Sequence, residues 1–187
     1  MKVLFIAPHL STGGMPAFLL KRIQALQQYN DNVEIFVVEW KMYSPTFVVQ
    51  RNQIQELLGD NFIPLHGNKE FQQNIIKICY DNNIDVIHIE EIPEGFDGHN
   101  PFPFEIQEQL YDSSHPWVVV ETCHNIYFNP NEQKKLEPNG YAFVTPHHLE
   151  NTFKDTKASK SLIPFPIDPS IQSYKTREEV LDEIGYR

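Results

Sequence analysis

The first 29 residues form a pattern that limits the chain to a small group of folds. Residues 3–7 are an apolar run with β-branched side chains, typical of a strand buried on both faces of a parallel sheet. A loop with Gly13 and Gly14 follows, and Pro16 stands where the first turn of a helix tolerates a missing N–H. Apolar residues then recur at helical spacing, and polar residues between them, such as Arg22, can face water. The chain therefore opens with a strand, a glycine loop and a helix.

The glycine loop has two interpretations. Glycines let the backbone approach a ligand, and unpaired N–H groups at a helix N-terminus attract an anion such as phosphate. The dinucleotide fingerprint G-x-G-x-x-G and the P-loop Gly-Lys-Ser/Thr are both absent, because the loop contains only Gly13 and Gly14. Strand-to-helix turns also use glycine for steric reasons alone. A phosphate-contacting role and a purely steric role both stay open.

The composition fits one globular α/β domain of 187 residues, with 41% hydrophobic and 21% charged residues. A net charge of −10 argues against a nucleic-acid surface, which needs a basic stripe. No transmembrane or signal-peptide pattern occurs, and Cys79 and Cys123 lack the spacing of a disulfide framework or zinc site. We therefore expect a cytoplasmic protein without nucleic-acid partners, transmembrane segment, metal or bound cofactor.

Predicted strands alternate with predicted helices along the whole chain. After the first strand, strand-forming runs lie at residues 33–38, 62–65, 84–89, 117–120, 141–144 and 161–163. After the first helix, helical patterns lie at residues 48–58, 69–80, 104–111, 146–153 and 177–184. This alternation predicts an α/β fold with a Rossmann-like, mostly parallel sheet and helices on both faces.

Polar residues follow three of the predicted strands. They are His9 and Ser11, Glu90 and Glu91, and His124 and Asn125. In parallel α/β sheets, ligands bind outside the carboxyl ends of the strands. We therefore expect these residues to line one crevice at that edge of the sheet.

His124 is the candidate for chemistry near neutral pH, where histidine can donate or accept a proton. A purely structural histidine would instead cap the strand or fill the crevice wall, and this alternative stays open. Glu90 and the glutamate after it either bind sugar hydroxyls or orient a base, or they are solvated charges that end the strand. His88 is predicted to be a core histidine, and His147 and His148 to be surface groups. No H-E-x-x-H-like spacing supports a metal site.

Five segments carry recognisable motifs in order along nearly the whole chain. They are KVLFIAPHLSTGG at residues 2–14, DVIHI at 85–89, VVVETCHN at 118–125, IPFPID at 163–168 and REEVLDEIGY at 177–186. Together they resemble the amino-terminal domain of GT-B retaining glycosyltransferases, in particular glycosyltransferase family 4. The matching family patterns are a strand with P-x-x-x-G-G, then D-V-V-H-x-H, T-x-H-D/N, I-P-N-G-V-D and R-x-x-L-G. Glu90 replaces the second histidine of D-V-V-H-x-H.

The resemblance implies one half of a two-domain GT-B enzyme. Residues 1–168 would form its Rossmann-like amino-terminal domain, and residues 169–187 the linker and start of a carboxyl-terminal donor-binding domain. The implied partners are a nucleotide-sugar donor, bound through that second domain, and a glycan or other hydroxyl acceptor. The implied reaction transfers the sugar with retention at the anomeric carbon and without a bound catalytic metal. This chain alone would be inactive.

The resemblance also implies roles for individual residues. His124 matches the active-site histidine near the transferred sugar, Gly13 and Gly14 match the loop that contacts the donor phosphates, and Asp168 matches a structural hinge residue. The strand-end positions complete a predicted acceptor site of His9, Ser11, Glu90, Glu91 and Asn125.

Two alternatives come from other functional classes. One is a free-standing nucleotide- or sugar-phosphate-binding module without catalytic activity. The other is a dinucleotide-dependent enzyme domain. The missing third glycine argues against that domain. So does Glu34, which lies inside the second predicted strand and not at its end, where a ribose-binding carboxylate belongs.

Overall fold

The computed structural model describes residues 1–42, 46, 48–96, 101–124, 127–165 and 176–183. Its strands are β1 (Lys2–Ala7), β2 (Glu34–Glu39), β3 (Phe62–Pro64), β4 (Val86–Ile89), β5 (Val118–Cys123), β6 (Gly140–Phe143) and β7 (Ser159–Leu162). They form one sheet in the order β3-β2-β1-β4-β5-β6-β7, and every neighbouring pair is parallel. The predicted Rossmann-like parallel sheet is confirmed.

Helices alternate with these strands. The α-helices are α1 (Gly14–Tyr29), α2 (Val49–Leu58), α3 (Lys69–Gln73), α4 (Ile75–Asp81), α5 (Phe104–Tyr111), α6 (Pro130–Gln133) and α7 (Arg177–Glu183). Short 3₁₀ helices lie at Gly59–Asn61 and Pro93–Gly95, and a π-helical turn at His148–Thr152. Within the described ranges, no helix has both the length and the apolarity that crossing a membrane requires.

Each face of the sheet has its own apolar core, because successive strand residues point to opposite sides. Phe5 packs with residues such as Ile23 of α1 on one side, which we call the α1 face. Leu4 packs with residues such as Ile106 of α5 on the other side, the α5 face. Burial on both sides explains why the central strands are continuous apolar runs and not alternating ones.

The predicted helix at residues 69–80 is divided at Asn74 into α3 and α4. The Asn74 side chain donates a hydrogen bond to the carbonyl of Glu70 (3.0 Å), and the Asn74 backbone N–H donates to the carbonyl of Phe71 (3.1 Å). Asparagine side chains compete in this way with regular helical bonding. The helical pattern predicts Phe71, Ile75 and Cys79 on one apolar face; Ile75 and Cys79 are buried, but Phe71, before the break, is 48% exposed.

Strand β5 extends to Cys123, three residues beyond its predicted end. The extension pairs Val120 to Cys123 with β6, which begins only at Gly140. It places Thr122 inside the sheet and His124 directly after the strand. The predicted domain boundary at residue 168 stays a prediction, and the hinge residue Asp168 lies outside the described residues.

Candidate functional site

The strand order of the sheet reverses between β1 and β4, the position where ligands of such folds bind. His88 of β4 is paired with Phe5 of β1 and with Val120 of β5, so all three side chains point to the α1 face. The alternation of strand residues then brings Glu90 and Thr122 to the same face, under α1. Arg22 of α1 reaches them from above, and His124 lies beside them. We call the set Arg22, His88, Glu90, Thr122 and His124 the polar network.

The centre of the polar network is the ion pair between Arg22 and Glu90. The Glu90 carboxylate is completely buried, and Oε1 accepts a hydrogen bond from the Arg22 guanidinium. The guanidinium also lies 5.1 Å from the ring centroid of Phe5 and 5.4 Å from that of Phe18. The sequence expectation that Arg22 faces water is wrong, because a buried carboxylate requires a cation. Burial raises the pKa of Glu90, but the charge of Arg22 and the smaller effects of His88 and His124 together outweigh burial and lower this pKa to about 2.

His88 connects the ion pair to β5. Its Nε2 lies 2.6 Å from the Thr122 hydroxyl, and its Nδ1 lies 3.2 Å from a terminal nitrogen of Arg22. Burial, followed by the charge of Arg22, lowers the pKa of His88 to about 3. His88 is therefore a neutral hydrogen-bonding group at physiological pH. It is buried, as the sequence predicts.

His124 borders the network where β5 ends. Its Nε2 is buried 3.6 Å from Glu90 Oε2, and neither atom has a hydrogen-bond partner within the described part of the chain. The imidazole packs edge-on against Phe18 with a centroid distance of 5.3 Å, and 17% of its side chain is exposed. An ionised Glu90 favours the proton on Nε2, which leaves Nδ1 as a hydrogen-bond acceptor. His124 thus has one nitrogen that faces a buried carboxylate and a ring that is partly exposed to a ligand.

Gly13 and Gly14 lie at the start of α1, one turn before Phe18. Gly13 is extended (φ 165°), a conformation that any residue adopts, and a Cβ there would meet only Pro16 Cδ at 3.7 Å. A Cβ on Gly14 would meet nothing within 4 Å. Within the described residues, packing therefore gives no steric reason for either glycine.

The other predicted site residues make contacts of their own. The Ser11 hydroxyl lies 2.7 Å from His9 Nδ1, and burial lowers the pKa of His9. Glu91 Oε1 accepts a hydrogen bond from the Ile92 N–H at 2.9 Å and lies 3.4 Å from the backbone nitrogen of His124. Glu91 therefore joins the segments after β4 and β5. Asn125 lies outside the described residues.

In a dinucleotide site, a ribose-binding carboxylate lies at the end of the second strand. At the end of β2 this position is occupied by Glu39. Its Oε1 accepts the Leu10 N–H at 3.0 Å, and its Oε2 accepts a hydrogen bond from Arg51 Nε at 2.6 Å. Glu34 begins the strand and pairs with Lys2 at the surface. Both oxygens of Glu39 have protein partners, which argues against a ribose-binding role in a dinucleotide site.

Sequence reasoning missed Arg22, Thr122 and Phe18 as members of the site. The available signal was indirect: a glutamate directly after a buried strand needs a cation, and the helix that covers the strand must supply it. His148 was also placed wrongly. It is completely buried beside Phe143 and Phe153, and burial lowers its pKa.

A second buried charge cluster lies on the α5 face of β5, directly behind the polar network. Glu121 accepts hydrogen bonds from the Tyr111 hydroxyl and from Lys134 Nζ (2.7 Å), and Lys134 also pairs with Glu94 at 3.1 Å. Burial raises the pKa of Glu121 to about 7 in spite of the lowering effect of Lys134. Glu121 is therefore a buried carboxyl group whose pKa lies near neutrality.

Glu121→Gln is expected to flatten the pH dependence of stability between pH 4.5 and 7. The folded pKa of about 7 lies above the ordinary 4.5, so the folded chain holds this proton more tightly than the unfolded chain. The resulting stabilisation is complete below pH 4.5 and is lost as the pH rises through 7, by roughly 3 kcal/mol. Urea unfolding at several pH values measures it. Glu108→Gln, an exposed change on α5, is the control, and an unchanged profile in Glu121→Gln would refute the assignment.

The comparisons with known proteins bear on the fold. No protein-family model matches the sequence, and no curated protein matches it. Among solved structures, a glycosyltransferase from Rickettsia africae ESF-5 matches 100% of this chain with a TM-score of 0.54 and 14% identity. This chain covers 50% of that protein. The chain shares its fold with about half of a glycosyltransferase.

A dTDP-glucose 4,6-dehydratase from Bacillus anthracis str. Ames, in complex with NAD, matches 87% of this chain. Its TM-score is 0.46, its identity 12%, and the match covers 53% of the dehydratase. At 14% identity, the likeness to the glycosyltransferase shows the fold alone.

Proposed function

We propose that this chain is the amino-terminal, acceptor-side half of a retaining GT-B glycosyltransferase of the family 4 type. The enzyme would transfer a sugar from a nucleotide-sugar donor to a hydroxyl acceptor. The observation that carries the proposal is His124, whose ring is partly exposed at the carboxyl end of β5 and whose Nε2 faces the buried Glu90 carboxylate. The sequence resemblance and the shared fold both support it.

Each member of the polar network has a role in this proposal. His124 contacts the transferred sugar through the exposed part of its ring. Glu90 fixes the orientation of that ring, and Arg22 keeps the Glu90 carboxylate ionised. The remaining acceptor contacts come from residues after β1, β4 and β5, namely His9, Ser11, Glu91 and Asn125.

The donor would be bound mainly by a second domain that follows residue 168. Its diphosphate would approach the start of α1, where the N–H groups of Gly14 and Met15 have no partner inside the helix. Residues 169–187 would be the linker and the beginning of that domain. We further propose a cytoplasmic location, with activity only in the two-domain protein.

The amino-terminal end of α1 also favours a second candidate function, a free-standing nucleotide- or sugar-phosphate-binding module. The first turn of α1 contains no acidic residue, and Gly13 has no side chain that could cap it. Such a module would bind a nucleotide without help from another domain.

The direct experiment joins this chain to its carboxyl-terminal half and supplies nucleotide sugars with simple glycan acceptors. NMR of the anomeric proton then identifies the product. We expect a glycoside with the anomeric configuration of the donor. An inverted product would overturn the retaining assignment, and absence of sugar transfer from every donor would overturn the proposal.

Gly14→Ala provides a test of the donor side alone. A Cβ at this position enters open space, and alanine forms helices more readily than glycine, so the fold should be unaffected or slightly more stable. In the two-domain protein, the same methyl group would hinder the diphosphate and raise the donor KM about tenfold. Steady-state kinetics and a thermal melt measure both quantities. An unchanged donor KM would remove Gly14 from the donor site.

A further inference from the structure

Two cavities flank the amino-terminal half of α5. The larger, about 540 Å³, lies between α3 and α5, and its polar lining consists of Lys69, Gln72, Gln73, Glu105 and Gln109. The smaller, about 350 Å³, lies between the segment after β4 and the end of α6, and its polar lining consists of Glu94, Gln107, Gln133 and Lys135. Both lie on the α5 face, behind the polar network. We call them the glutamine cavities.

The lining of the glutamine cavities is neutral but rich in hydrogen-bonding groups. Five of the 12 glutamines of the chain line them. Each cavity is also lined by one lysine and one glutamate, and the two charges cancel. The lining is therefore neutral, although the chain as a whole has a net charge of −10. Neither cavity has the excess of cations that a phosphate or nucleotide requires.

Glutamine suits one class of ligand in particular. Its amide offers two donors and an acceptor, which matches sugar hydroxyl groups that donate and accept at once. Gln107 is buried, at 1% exposure, and its Nε2 donates to the Phe102 carbonyl at 3.1 Å. The Gln107 Oε1 has no hydrogen-bond partner among the described residues. Gln107 is one of the residues that line the smaller cavity, and its Oε1 lacks the donor that buried polar atoms normally have.

We propose that the glutamine cavities bind a neutral oligosaccharide segment of the acceptor. They border the segment after β4, which begins with Glu90 and so connects them to the edge of the sheet where His124 lies. This assignment rests on the proposed transferase function, since it names the class of acceptor. It predicts a glycan that is longer than the sugar at the reacting end.

The test uses this chain and NMR titration with maltohexaose, cellohexaose and chitohexaose, with a heparin hexasaccharide as the charged comparison. We expect at least one neutral hexasaccharide to bind. Gln73→Ala/Gln109→Ala, both exposed positions, should weaken that binding about tenfold, as expected for two lost hydrogen bonds. The matched control is Gln24→Ala/Gln53→Ala, which changes two glutamines lining a different cavity, between α1 and α2.

Three outcomes would overturn the proposal: no neutral hexasaccharide binds, heparin binds as tightly, or the Gln73/Gln109 variant binds normally. None of these outcomes tests the proposed transferase function. That function is tested separately by the sugar-transfer assay on the two-domain protein, which can succeed with a short acceptor.

Discussion

His124→Ala is expected to lower the turnover of the two-domain protein by about 10²- to 10³-fold, the usual effect of losing one fixed polar contact to the reacting centre. The ring is partly exposed, and Glu90 keeps its ion pair with Arg22 when the imidazole is removed. The thermal midpoint of the chain should therefore change little. Measurement of kcat, KM and the midpoint on the same preparations separates a functional loss from a folding defect.

The matched control is His147→Ala, which removes an exposed imidazole outside the polar network. Its kcat should equal that of the unchanged protein. Near-normal turnover in His124→Ala would remove His124 from the mechanism. The carboxylate of Glu90 would then have only a structural role.

Arg22→Met is expected to destabilise the fold by about 3–5 kcal/mol, because it leaves the buried Glu90 carboxylate without its cation. In the unchanged chain, the pKa of Glu90 falls from 4.5 to about 2. This pair therefore stabilises the fold above pH 4.5, and the contribution is lost as the pH falls through 2. In the variant, burial raises the pKa of Glu90, so its stability should instead increase on acidification. Urea unfolding at pH 7 and pH 5 measures both effects.

Two further variants make the Arg22 result specific. Lys77→Met breaks an exposed ion pair with Asp81 and should change stability by no more than about 0.5 kcal/mol. Arg22→Met/Glu90→Gln removes both charges and should recover most of the lost stability. Arg22→Met alone should lower the free energy of unfolding far more than Lys77→Met does. A smaller loss than in the Lys77 control would contradict a stabilising role for the buried ion pair between Arg22 and Glu90.

The fold was predictable because its elements carry local signals. Apolar runs such as residues 3–7 are typical of doubly buried strands, and their alternation with helical patterns leaves few topologies. The approach of Glu90 to His124 was predictable for the same reason, since both residues directly follow neighbouring parallel strands.

The rest depends on tertiary contacts that no local pattern encodes. The periodicity of α1 places Arg22 on the face of the helix that is exposed to water. Its side chain instead points inward, because it pairs with the buried Glu90, 68 positions away. The break at Asn74 depends on one side chain bonding to the helix backbone. His148 looks like a surface residue after a proline, but the π-helical turn carries its ring into the core.

The most direct test of the acceptor-half assignment is a binding experiment on this chain alone. Calorimetry and saturation-transfer NMR with nucleotide sugars, free nucleotides and simple glycans would measure what it recognises without a second domain. We predict no tight binding of any nucleotide, because the donor site would be completed only by the carboxyl-terminal half. Tight nucleotide binding by this chain alone would contradict the account and favour a free-standing nucleotide-binding module.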